Sequence, residues 1–111
     1  MSKKGNVYLL YDIDNDLYKI GFTRGTVEKR LSQLQTGNAT KLAIIRTFEC
    51  EHPSLVEHHL HAKFSGKQVL NEWYDLEDED VFSFLEYCET VNNSLESVSE
   101  NPFFKKHLGL T

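Results

Sequence analysis

Several side chains able to ligate a metal or move a proton crowd one short stretch of the sequence: Glu57, His58, His59 and His61. Glu57 and His61 are four apart, so a helix would set them on one face. Zinc fits this stretch poorly. Histidines on one helix face supply at most two ligands, and neither Cys50 nor Cys88 belongs to a CxxC pair that could complete a site. Glu57 also has a structural reading, because Ser54-x-x-Glu57 has the spacing of a capping box. By spacing alone the cap is the better expectation. Asp12, Asp14 and Asp16 begin like a calcium loop, but Leu17 stands where the loop needs glycine and Thr23 where it needs a bidentate Glu. Calcium is therefore rejected. Arg30 could clamp a phosphate or pair with an acid on a helix surface, and Trp73-Tyr74 reads by default as a core aromatic pair.

The elements that must position these residues are legible in outline. Residues 7–11 form an apolar run of strand formers, closed by the turn composition Asp12-Ile13-Asp14-Asn15-Asp16. The chain then returns through Tyr18, Ile20 and Phe22, which alternate with Lys19 and Gly21 as in a half-buried strand. Val27, Leu31 and Leu34 recur at helical spacing, and Gly37 is a natural C-cap. This unit brings a polar strand residue and a helix arginine to one surface. Residues 42–48 read as a third strand, with Leu42, Ile44 and Phe48 on one face. Val56, Leu60 and Phe64 make an apolar stripe on a second helix. Ser65-Gly66-Lys67 reads as a loop and residues 71–76 as a short extended or turn segment. A last helix is expected over residues 77–92, with Val81, Leu85 and Cys88 facing the core. The expected fold class is α/β: a small three-stranded mixed sheet flanked by helices, occupying residues 1–92, with a tail at 93–111.

Bulk properties narrow the class. A chain of 111 residues with 40% hydrophobic content is one globular domain with a modest core. No apolar run approaches the ~20 residues of a membrane span, and the N-terminus lacks a hydrophobic leader. Cys50 and Cys88 are expected as buried, reduced thiols, and the expected setting is cytoplasmic. The net charge of −5 is unevenly distributed. Residues 75–100 hold nine acids and no Lys or Arg, so the remainder of the chain stands at +4.

The spaced motifs together are more specific than any single residue. Val7-Tyr8, Tyr18-Lys19-Ile20-Gly21-Phe22-Thr23, Arg30-Leu31, Leu34-Gln35-Thr36-Gly37-Asn38, Glu57-His58-His59-Leu60-His61 and Glu72-Trp73-Tyr74 follow in order over residues 6–76. This series resembles the GIY-YIG nuclease superfamily, in the branch found in phage and mobile-element reading frames. The resemblance implies that Tyr8 deprotonates or orients an attacking water, that Arg30 holds the scissile phosphate, and that Glu57 binds one Mg²⁺ or Mn²⁺. Lys19 stands where the family's second tyrosine is usual, and Asn71 or Glu72 where its asparagine is usual. Cations such as Lys19 and Arg30 would favour a Tyr8 phenolate, and His61 could shuttle a proton or orient Glu57. Tyr18, Arg24, Lys67, Glu72 and Trp73 are the expected substrate-contacting residues.

The activity so implied is metal-dependent endonucleolytic hydrolysis of nucleic acid, with DNA as the first expectation and no membrane partner. The alternative is a non-catalytic nucleic-acid-binding or protein-interaction module of the same fold. The acidic helix and Pro102-Phe103-Phe104 would then meet a second copy or another protein.

Overall fold

In the computed structural model, residues 4–99 are described. The expected tail beyond them, with Phe103 and Phe104, lies outside that range. The chain begins with a hairpin, β1 (Gly5–Asp12) and β2 (Leu17–Thr23). Its turn is organised by Asp12, whose carboxylate accepts from the Asp14 and Asn15 amides, the Asn15 side chain and the Thr40 hydroxyl. Those hydrogen bonds consume the lone pairs a calcium ion would need, and they hold the Asp12 pKa below its usual value although burial opposes them.

Helix α1 (Val27–Thr36) starts at Thr26, whose hydroxyl accepts from the Lys29 amide, and ends at Gly37 as expected. It leads into β3 (Leu42–Cys50). Helix α2 (Pro53–Lys63) and one 3₁₀ turn precede two very short strands, β4 (Gln68–Leu70) and β5 (Trp73–Tyr74). Helices α3 (Asp78–Phe82) and α4 (Phe84–Ser99) follow.

The sheet has five strands in the order β3-β1-β2-β5-β4, and every pair is antiparallel. This corrects the expected three-stranded mixed sheet, while the α/β class stands. A helical crossover after β2 suggests a parallel neighbour, but β3 passes beyond β2 and pairs with the far side of β1. The two added strands are three and two residues long, too short to carry a period-2 pattern.

Because β1 lies between layers of helices, both of its faces are buried. Val7 and Leu9 join Ile20, Val56, Leu60, Phe64, Phe84 and Cys88 against α2 and α4. Tyr8 and Leu10 face the other way, with Val27 and Leu42 and the half-buried Leu31, Leu34, Ile44 and Trp73 under α1. The expected grouping of Leu42, Ile44 and Phe48 fails at an irregularity in the β1–β3 register, between Leu9 and Leu10. Across it, Ile45 and Phe48 pack with the first core, while Leu42 and Ile44 stay with the second.

The single helix expected over residues 77–92 is two, interrupted at Ser83. The break re-phases the apolar stripe: Phe84 is fully buried and Leu85 is exposed, while Cys88 points inward as expected. Cys50 and Cys88 are buried free thiols, and burial pushes the Cys88 pKa up to about 12, so it is inert as a nucleophile. Among the described residues, no helix is long and apolar enough to cross a membrane.

One close approach fixes the hairpin. Tyr8 is paired with Gly21, and a Cβ at Gly21 would lie 2.6 Å from the Tyr8 ring carbon Cζ. The glycine makes room for a fully buried tyrosine ring. Gly21→Ala should therefore cost about 1–3 kcal/mol as overpacking. Denaturant unfolding should show this as a lowered midpoint, and wild-type stability would refute the close packing.

Candidate functional site

The site forms where the sheet is thinnest. Strand β5 pairs only with Tyr18 and Lys19 of β2, so side chains from both helical layers can meet beside the next residue, Ile20. The Ile20 amide donates to the carbonyl of Glu72 at 3.1 Å, in the turn between β4 and β5. The Ile20 carbonyl lies 3.0 Å from Nε2 of His61 on α2. A carbonyl can only accept, so Nε2 carries the proton. When the ring is neutral, Nδ1 then keeps its lone pair. That nitrogen faces Glu57, 4.0 Å from its Oε1.

Glu57 reaches this position because α2 starts earlier than a capping box would require. Pro53 occupies the first turn, His52 is the N-cap, and no side chain caps the helix. Ser54 therefore lies inside the helix and Glu57 is free of the capping role expected from spacing. Glu72 completes the group. One ligand atom each from Glu57, His61 and Glu72 lies within 4.8 Å of the others. Glu72 Oε2 also binds Lys19 Nζ at 2.7 Å, and that ammonium sits 5.5 Å from the Trp73 ring centroid.

The electrostatics reflect two carboxylates sharing one half-buried place. Burial raises the Glu57 pKa and Glu72 adds to the rise, against His61 and Lys19. Tyr74, whose ring lies 5.5 Å from that of His61, is also raised, by burial first and then by the same carboxylates. Tyr8 is near enough to sense both glutamates and Arg30. Its pKa is raised because burial outweighs the hydrogen bond and charge of Arg30, so Tyr8 is a phenol at neutral pH. The expected phenolate is not favoured by these neighbours.

Of the sequence candidates, Tyr8, Lys19, Arg30, Glu57, His61, Glu72 and Trp73 occupy this neighbourhood. Tyr18 does not: it stacks on Tyr11 at 4.8 Å and packs with the first core. Lys67 is paired with Asp80, which caps α3 through the Glu77 amide. Arg24 lies in the exposed turn before α1. His58 and His59 are exposed, and the ligand group includes neither.

Two adjoining clefts lie on the α1 side. One, of about 220 Å³, is lined by Thr23, Gly25, Thr26, Lys29, Arg30 and Gln33. The other, of about 250 Å³, runs between Lys19, Trp73, Leu42 and the end of α1. Lys29, Gln33 and Asn38 line these clefts and were missed as functional candidates. Only the Leu34-Gln35-Thr36-Gly37-Asn38 motif pointed toward them.

The chain belongs to the T5orf172 domain family, whose sequence profile matches residues 5–89. This is a phage-associated domain related to nuclease-like folds. No curated protein and no solved structure matches the chain.

The carboxylates of Glu57 and Glu72 and the Nδ1 of His61 make a donor set suited to a divalent cation of the Mg²⁺ or Mn²⁺ kind, the imidazole favouring the latter. The backbone carbonyl behind His61 is the usual orienting contact for such a ligand. The tautomer is directly observable. Nitrogen-15 NMR of His61 at a pH where the ring is neutral should show the proton on Nε2. A proton on Nδ1 would contradict the geometry.

Proposed function

We propose that this domain is a metal-dependent endonuclease that hydrolyses phosphodiester bonds of nucleic acid, DNA in the first instance, by direct attack of water. The observation that carries the reading is the meeting of Glu57, His61 and Glu72 beside Tyr8 and Arg30. The GIY-YIG-like order of the motifs supports it, and so does membership of a phage-associated domain family. Glu57, Glu72 and His61 Nδ1 would hold the ion. When bound, Mg²⁺ or Mn²⁺ supplies polarisation of a phosphoryl oxygen and stabilisation of the leaving oxygen.

The chain's own residues do the rest. Arg30 presents a planar, permanently charged donor fork to the phosphate, in a cleft it shares with Lys29. The Tyr8 hydroxyl lies against that guanidinium and, as a phenol, orients the attacking water. His61, pinned through Nε2, holds its ring toward Glu57. Lys19 neutralises Glu72 and limits the repulsion between the two carboxylates. With Lys67 paired to Asp80 and Lys19 to Glu72, Lys29 and Arg30 are the cations that line the cleft toward the substrate.

One observation favours a second reading, a nucleic-acid-binding module that does not cut. Lys19 stands where the GIY-YIG pattern that the chain resembles has its second tyrosine, and it is tied to Glu72 at 2.7 Å. Incubation with supercoiled plasmid, single strands and RNA under Mg²⁺, Mn²⁺ and EDTA separates the two. The expected result is cutting with either ion and none with EDTA. Glu57→Gln should abolish cutting with the fold retained, and Arg30→Lys should lower the rate about 10²-fold or more. Wild-type cutting by Glu57→Gln would remove Glu57 from the site, and binding without cutting would establish the module.

A further inference from the structure

The cleft between Trp73 and the end of α1 has no role in holding an ion or a phosphate, yet its construction is specific. Its walls are Trp73, Leu34 and Leu42, which are apolar, and its rim carries Lys19, Gln33 and Asn38. At about 250 Å³ it is smaller than the roughly 300–1,000 Å³ of drug-sized pockets and suited to one planar ring system.

The loop beneath it is fixed by hydrogen bonds. The Asn38 side-chain nitrogen donates to the Thr40 carbonyl at 2.8 Å and to the Thr40 hydroxyl at 3.0 Å. Gln35 holds the same loop by donating to the Thr40 carbonyl at 2.8 Å and accepting from the Leu42 amide at 2.8 Å. Both amide hydrogens of Asn38 face Thr40, which leaves its side-chain carbonyl as the acceptor for a ligand. Gln33 accepts from Arg30 at 3.4 Å through its own carbonyl, which leaves its amide nitrogen as a donor. The cleft thus offers one acceptor and one donor beside an aromatic ring that also lies near the Lys19 ammonium.

Gln33 also lines the neighbouring cleft that holds Lys29 and Arg30. A cationic trough and an aromatic slot therefore share one wall. That juxtaposition selects a ligand with a phosphate joined to a planar heterocycle carrying polar edges. We infer that the Trp73 cleft receives an unpaired nucleobase of the nucleic acid whose phosphate lies against Arg30, so that the substrate must present at least one unstacked base. This rests on the nucleic-acid reading above. In a duplex the base is stacked and paired, and only a single strand, a mismatch or a flipped nucleotide offers it freely.

Trp73 is the only tryptophan of the chain, so its emission reports on this cleft alone. The experiment titrates the protein in EDTA with short oligodeoxyadenylate, with an abasic strand of equal length and charge, and with a blunt duplex. Oligodeoxyadenylate should change Trp73 emission and bind roughly 5- to 150-fold tighter than the abasic strand, the range of one base–aromatic stack. Gln33→Ala, a substitution at an exposed side chain, should weaken oligodeoxyadenylate several-fold more than the abasic strand, because loss of its contact to Arg30 acts on both strands alike. Equal binding of the two strands with unchanged emission would overturn the inference, as would a blunt duplex that shifts emission as strongly as the single strand. Cutting is read separately. Base-dependent emission without metal-dependent cutting would sink the nuclease reading and keep the base site. Cutting with equal binding of both strands would do the reverse.

Discussion

The peptide group of Ile20 is the constraint on which the site depends. Its amide holds the turn that carries Glu72, and its carbonyl holds the ring of His61. Ile20 itself is fully buried, so neither backbone group can turn to water without cost, and each must find a partner within the protein. An unsatisfied buried group costs about 1–3 kcal/mol, so both contacts are favoured together. One strand residue thereby sets the separation between a helix and a turn that are distant in sequence. Glu57 follows, one helical turn from His61, and Lys19 follows as the strand neighbour that meets Glu72.

The same arrangement explains the charge balance. Two carboxylates and an imidazole lone pair converge in a half-buried place against one ammonium, and the Glu57 pKa is raised by burial first and by Glu72 after it. A divalent cation would relieve the repulsion, because it could contact both carboxylates at once where the Lys19 ammonium is bonded to Glu72 and reaches Glu57 only through its charge. Burial decides the state of Tyr8 as well. Packed against Gly21, it stays neutral despite Arg30, which suits positioning better than proton abstraction. The acidic segment after residue 75 is in part structural, since Asp80 caps α3 and pairs with Lys67.

What the sequence made legible was local. The hairpin, α1 with its glycine cap, and the pairing of Glu57 with His61 follow from spacing within one element. The motif order also pointed to a phage-associated domain related to nuclease-like folds, which is as far as the family match reaches. What it concealed depends on contacts between elements. Strand β5 is defined by pairing with β2 and β4 by pairing with β5, and the β3 irregularity shows itself only against β1. The interruption at Ser83 is invisible in an acidic, helix-favouring run, although it decides that Phe84 rather than Leu85 is buried. Glu72 was expected to touch substrate, and its place among the ligand atoms arises from the turn that Ile20 holds. Lys67 looked available because Asp80, its partner, lies in another element.

The central claim is that three side chains from α2 and the β4–β5 turn make one cation site at Ile20. Titration of isotope-labelled protein with Mn²⁺, followed by paramagnetic broadening of NMR signals, tests it most directly. Signals of Glu57, His61, Ile20, Lys19 and Glu72 should broaden first, at ion levels that leave the α3 acids Asp78 and Glu79 sharp. Broadening that begins at Asp78 and Glu79 would contradict the account.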